Sequence, residues 1–283
     1  MKTRFLPLLL IFIALSFSIS LPAQTIDELL DSAIAGDHRD PAFVARDKYR
    51  NPKETLKFFG LQPEMTVVEI SPARGWYTEI LAPVLRGSGI LYEAGFSMTA
   101  SQTPDWQKEM QIEFANKLSQ KPDVYDHVVV TELSVPERVV IAPPGTVDMI
   151  LTFRNVHNWM KGEYVQTMFE IFYRTLKSGG VLGIVEHRAA PKTSIEQMIK
   201  SGYVTEEFVM QLAKAIGFVY EESSEINANP KDTKGHPEGV WTLPPTLRHC
   251  HKMDDGSSKG TCIKKYTAIG ESDRMTLRFR KPW

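Results

Sequence analysis

"VVEISPARGWYTEILAPVL", residues 67–85, sets a β-branched apolar run ahead of a tight turn and a helix-like run. A strand that feeds through a close turn into a helix is where open parallel sheets hold ligands, beyond the carboxyl ends of the strands. Within the turn 71–75, Gly75 is the one glycine. Ser71 and Ala73 are both small, so close approach of backbone to a ligand survives there, provided φ stays negative. Arg74 is the bulky, charged member of the turn.

Outward from this stretch, strand and helix patterns alternate. "TVVEIS" (66–71), "GILYEA" (89–94), "DHVVVTEL" (126–133), "VDMILTFR" (147–154) and "VLGIVEHR" (181–188) are short β-branched runs that read as strands. Helical runs separate them, including "GWYTEILAPVL", with Pro83 bending its last turn, and "KGEYVQTMFEIFYRTLK", capped by the glycines of "SGG". Right-handed crossovers then build a mostly parallel sheet covered on both faces. "FVYEESSEI" and "MTLRFRKP" read as strands six and seven, an antiparallel final hairpin at one edge of a seven-stranded sheet. Between them, 227–270 reads as a long Pro-, Asn- and Gly-rich loop, in which Trp241 and Pro244–Pro245 suit a packed lid over the crevice. Residues 24–60 read as a polar helical collar, with Asn51 and Pro52 opening its second helix. One α/β domain over 24–283 is expected.

Composition narrows the partners. With 33 basic and 34 acidic residues the chain has no basic excess, which argues against a nucleic-acid-binding face. Residues 1–23, "MKTRFLPLLLIFIALSFSISLPA", carry two basic residues, an apolar run and a small residue before Gln24. That is the layout of a secretory signal peptide. The expected mature protein is exported, periplasmic or secreted, and free of membrane. Cys250 and Cys262 are the only cysteines, and after export they are expected to form a disulfide, closing the polar tip "HKMDDGSSKGT". His249 and His251 flank Cys250, but the spacing fits no zinc pattern and no metal is expected.

The order of motifs over roughly 50–227 resembles the class I S-adenosylmethionine-dependent methyltransferases. Their first motif is an acid followed by G-x-G-x-G, matched here by Glu69, Ser71, Ala73 and Gly75, with two of the three glycines replaced. The resemblance implies a Rossmann-like fold with S-adenosyl-L-methionine as cofactor. It implies that the turn cradles the methionine part, that Glu93, ending strand two, holds the ribose, and that Glu132 meets the adenine. Asn155, His157 and Trp159 follow strand four where the family places groups near the reacting methyl, and His157 or His187 is the implied base. "GWYTEILAP", "EGVWTLPPTLR" and "GESDRMTLRF" resemble a group of exported proteins predicted to be methyltransferases. No acceptor follows from this.

Other readings of the same residues stand beside it. Glu69 also suits capping the next helix or pairing with Arg74, and Glu186 and His187 suit a paired strand end. A non-catalytic, exported Rossmann-like protein binding another ligand or a partner is the alternative function. A serine-hydrolase elbow needs glycine two residues either side of the serine, and Ser71 has Glu69 and Ala73 there. The G-x-G-x-x-G of a nicotinamide dehydrogenase is absent.

Overall fold

A computed structural model describes residues 24–283; the expected signal peptide lies outside the described residues. Seven strands form one sheet: β1 Thr66–Ile70, β2 Ile90–Phe96, β3 Val128–Leu133, β4 Val147–Phe153, β5 Leu176–His187, β6 Val219–Ser224 and β7 Arg274–Arg280. Their order is β3-β2-β1-β4-β5-β7-β6. Strands β1 to β5 run parallel, while β7 lies antiparallel between β5 and β6. The expected closing hairpin is therefore present, with β6 rather than β7 as the edge.

Alternation along the strands sorts side chains into two layers. Val68, Ile70, Ile150 and Leu182 pack with Trp159, Phe169 and Val209 from the helices Val156–Lys161, Val165–Thr175 and Glu206–Ile216. Val67, Met149 and Leu151 pack with Leu30, Phe59 and Ile80 from the helices Ile26–Ile34, Pro52–Phe59 and Thr78–Leu85. The collar is thus one flank of the core. Thr25 opens its first helix through a capping box with Glu28, satisfying donors that a helix start leaves free. Asn51 precedes Pro52 as expected but makes no side-chain cap; its amide donates instead to the Ile226 carbonyl, 2.7 Å away.

Glu271 fastens the collar to the entry of β7. It accepts from Arg46 (2.6 Å), Arg50 (3.2 Å) and Arg274 (3.3 Å) while almost wholly buried. Burial alone raises a carboxyl; here Arg50, Arg274, Arg154 and Arg46 outweigh it and hold Glu271 down to about 2.

Two local expectations change. "SGG" does not cap the preceding helix, which ends at Thr175; it lies in the opening of β5, with Gly179 left-handed. The stretch 227–270 is not a continuous loop: it holds a short 3-10 turn, Gly239–Thr242, and the helices Arg248–His251 and Ser257–Ile269. Cys250 and Cys262 are bonded, but they join these two helices rather than closing a hairpin. Cys262 and Tyr266 are both buried, and their spacing of four brings them onto one helical face, a signal masked by the surrounding glycine and serines. Replacing both cysteines by serine is expected to lower stability by about 3 kcal/mol for a loop of this length. Thermal melts with and without reductant measure it, and a reductant-independent midpoint would contradict the bond. No helix among the described residues is long and apolar enough to cross a membrane.

Candidate functional site

The sheet order reverses between β1 and β4, and the turn after β1 stands at that point. Ser71, Ala73 and Gly75 have φ of 50°, 54° and 78°. The negative φ expected at Ser71 and Ala73 is thus corrected: both take left-handed backbone although each carries a Cβ. Left-handed backbone costs a residue with a Cβ roughly 1–2 kcal/mol, so Ala73→Gly is expected to stabilise the fold by roughly 0.5–1 kcal/mol after the entropy of glycine is counted. Denaturant unfolding reads this directly. Gly75 is a different case, since a Cβ there would lie 2.9 Å from Cε2 of buried Phe114.

Arg74 points out of the turn and pairs with Glu113 at 2.7 Å, both largely exposed. It neither fills the crevice nor pairs with Glu69. The Glu69 carboxylate instead accepts from Thr78 Oγ1 at 3.0 Å, beneath the turn. Glu93 is its register partner on β2, fully buried, and neither of its carboxyl oxygens has a hydrogen-bond partner. Burial raises the proton affinity of both, and for Glu93 the neighbouring Glu69 charge raises it further. The expected strand-end position of Glu93 is therefore corrected: β2 runs on to Phe96, paired with β3 through Gly95↔Glu132 and Phe96↔Leu133. A side chain at Gly95 would meet the Gln111 amide at 2.3 Å, so that amide occupies the place a strand-end side chain would take.

Glu132 also has work of its own. Its carboxylate accepts from Ser97 Oγ (2.8 Å), Met98 N (3.0 Å) and Thr99 Oγ1 (2.7 Å), tying down the loop after β2. Burial would raise this carboxyl, but these bonds and one from Arg138 hold it below its ordinary value.

Beyond the ends of β1 to β4 lies a cavity of about 600 Å³, lined among others by Ser71, Phe96, Trp106, Gln107, Ser134 and Asn155. Of the turn and carboxylate residues expected at a cofactor site, only Ser71 lines it. Phe96 and Trp106 meet edge to face at 5.7 Å on one wall. The Asn155 amide donates to the Ile70 carbonyl (3.0 Å) and to Thr152 Oγ1 (3.1 Å), locking the end of β4 to the end of β1. A second cavity, of about 700 Å³, adjoins it through Trp106, Asn158 and Lys161 and reaches Trp241 of the long segment. Trp106, Gln107, Asn158 and Lys161 were not singled out from sequence; they sit on helix faces whose spacing carries no chemical motif.

His157 and His187 come together, rings 5.2 Å apart, because β4 and β5 are neighbours. Neither lines either of these two cavities. Glu186, fully buried, sits 3.1 Å from His157 Nδ1 and accepts from the backbone N–H of His157 (3.3 Å) and His187 (2.7 Å). A carboxylate only accepts, so His157 Nδ1 carries a proton toward Glu186. His187 Nδ1 meets Ser272 Oγ at 2.6 Å. Burial, then His157 and the arginines 154, 274 and 50, push the His187 imidazole well below its ordinary value and keep it neutral. The donor atoms of His157, Glu186 and His187 lie within 4.8 Å of one another, a set that could hold a divalent ion. The same arginines oppose a cation there, and Glu186 already accepts three N–H groups, so a carboxylate–imidazole pair describes the cluster better.

Strand order, the antiparallel β7 and the cavity beyond β1 define a Rossmann-like class I methyltransferase fold. No family model and no curated protein matches the sequence. Solved structures do match in fold. An S-adenosylmethionine-dependent methyltransferase from Aquifex aeolicus is 20% identical with a TM-score of 0.52, covering 66% of this chain and 88% of that one. The cyclase SpnF is 15% identical with a TM-score of 0.56, covering 93% and 98%. A phosphoethanolamine N-methyltransferase from Haemonchus contortus, bound to S-adenosyl-L-methionine, is 14% identical with a TM-score of 0.53, covering 90% and 60%. These likenesses concern the fold, and a cyclase among them marks that the fold alone does not decide the reaction.

Proposed function

We propose that the protein is an S-adenosylmethionine-dependent methyltransferase acting on a small-molecule acceptor. One observation carries the reading: the turn after β1 keeps left-handed backbone at Ser71 and Ala73, where no glycine relieves it. Such strain persists where surrounding structure enforces it, and it gathers at ligand clamps. Here it shapes one wall of the cavity beyond β1, and two of the fold relatives carry this cofactor in their names.

The cavity fits an adenosyl group in size and chemistry. Phe96 and Trp106 offer an apolar wall for a flat base. Gln102, Gln107, Ser134 and Asn155 offer amides and a hydroxyl in place of a strand-end carboxylate. Glu132 is assigned to holding the loop after β2 and Glu93 to the sheet interior, rather than to the base and the ribose. When bound, the cofactor supplies an electrophilic methyl group, and the protein's part is to position the acceptor in line and to accept its proton. His157 is the better base of the pair, since Glu186 orients its ring through Nδ1. It stands behind Trp241, whose ring meets it edge-on at 5.8 Å. A methylation assay in which His157→Ala keeps the full rate would remove it from the mechanism.

Calorimetric titration of S-adenosylhomocysteine into the mature protein tests the main reading. Binding at micromolar concentrations is expected; no heat and no thermal shift at millimolar ligand would overturn it. The buried Cys250–Cys262 bond further supports an exported, periplasmic or secreted protein, since such bonds persist in oxidising compartments. N-terminal sequencing of the protein from its producing cells is expected to begin at Gln24.

A further inference from the structure

The second cavity carries an unbalanced charge. Lys161, Lys200 and Arg248 line it, all exposed toward it or solvent, and among the described residues none has an acidic partner within ion-pair distance. The acid on the lining, Glu238, is held by Lys252 at 2.7 Å. His236, also on the lining, bonds Asp232 at 2.8 Å. The apolar part comes from Trp106 and Trp241, with Arg248 stacked 4.8 Å from the Trp241 ring. Three cations from three separate elements thus converge around two indoles: the helix after β4, the helix Ile195–Ser201, and the disulfide-joined segment.

We propose that this cavity is the acceptor site and takes a small aromatic or otherwise flat apolar molecule bearing an anionic group, a carboxylate, phosphate or sulfonate. The proposal rests on the methyltransferase reading for the word acceptor, but the binding chemistry stands on the cavity itself. Position supports the role: Trp106, Asn158 and Lys161 are shared with the cavity assigned to the cofactor, so a ligand here abuts one bound there. The cations attract the anionic head, and the indoles exclude water from the body while one of them stacks with a guanidinium that the anion can pair with.

Two probes with the same rings isolate the charge. 8-Anilinonaphthalene-1-sulfonate carries a sulfonate, and N-phenyl-1-naphthylamine lacks it. Fluorescence titration of the disulfide-intact protein is expected to give at least tenfold tighter binding of the sulfonate. The triple variant Lys161→Gln/Lys200→Gln/Arg248→Gln is expected to lose that preference while its thermal midpoint stays unchanged. Trp241→Ala is expected to weaken both probes. Equal binding of the two probes, or a triple variant that keeps the preference, overturns the proposal. S-Adenosylhomocysteine titrated into the double variant Lys200→Gln/Arg248→Gln, whose residues line the second cavity and not the first, separates the two readings. Retained cofactor affinity with lost sulfonate preference supports both, whereas cofactor binding absent from the wild type removes the methyl-transfer role and leaves the anion site to be judged on the probes.

Discussion

Gly75→Val is expected to weaken S-adenosylhomocysteine binding at least a hundredfold while leaving a folded protein. The residue sits at φ 78°, a region in which a β-branched side chain is an outlier. Its new Cβ would fall 2.9 Å from Cε2 of Phe114, which is fully buried and cannot yield cheaply. Left-handed strain costs roughly 1–2 kcal/mol, and forced overpacking about 1–3 kcal/mol more. The turn escapes both by rebuilding, and rebuilding moves Ser71, the part of the turn that lines the cavity. A hundredfold loss corresponds to about 2.7 kcal/mol, within that range. Calorimetry gives the affinity, and far-ultraviolet circular dichroism checks the fold. Ala73→Gly is the matched control: same turn, same backbone, no added atom, and binding is expected to stay within a few-fold of wild type. If valine at 75 binds the cofactor as glycine does, the turn does not shape the site.

The contrast between these positions also explains how much was legible beforehand. The order of strands and helices follows from hydrophobic period, which a single sequence carries in full. That Ser71 and Ala73 adopt a glycine-like backbone does not, because sterics alone argue the opposite and only the ladder around the turn enforces it. Ser71 N–H donates to the Ala94 carbonyl at 2.9 Å, pinning the chain as it leaves β1. The run "GILYEA" puts Glu93 at the end of strand two, whereas the ladder from β3 carries β2 on to Phe96. His157 and His187 could be named but not joined, since their meeting depends on β4 lying beside β5. The cationic cavity was invisible for a similar reason. Lys161, Lys200 and Arg248 are ordinary surface residues in sequence and converge only when the segment after β6 folds back over the carboxyl ends of the strands.

The buried carboxyl pair makes stability fall as pH rises. Glu69 and Glu93 are register partners on adjacent parallel strands, both almost fully buried, and Thr78 alone donates to the pair. Two carboxylates side by side in a dry site cannot both ionise at ordinary cost. Each is raised in the folded protein, first by burial, above the value of about 4.3 expected for an unfolded glutamate. A group raised on folding contributes fully below the unfolded value and loses its contribution as pH climbs through the folded one. The expected slope is about 1.4 kcal/mol per pH unit for each group titrating in the unfolded chain only. Glu93→Gln removes the more strongly raised member, while its amide can still donate to Glu69. At pH 8 the variant is expected to unfold several degrees above wild type, at about 2–4 °C per kcal/mol, and near pH 4 the two midpoints should converge. Glu93→Ala, by contrast, leaves a cavity beside Glu69 and is expected to destabilise at acid pH as well. A wild-type midpoint flat from pH 5 to 8, or a glutamine variant less stable than wild type at pH 8, would mean that the pair finds partners in solution which the fold does not offer it.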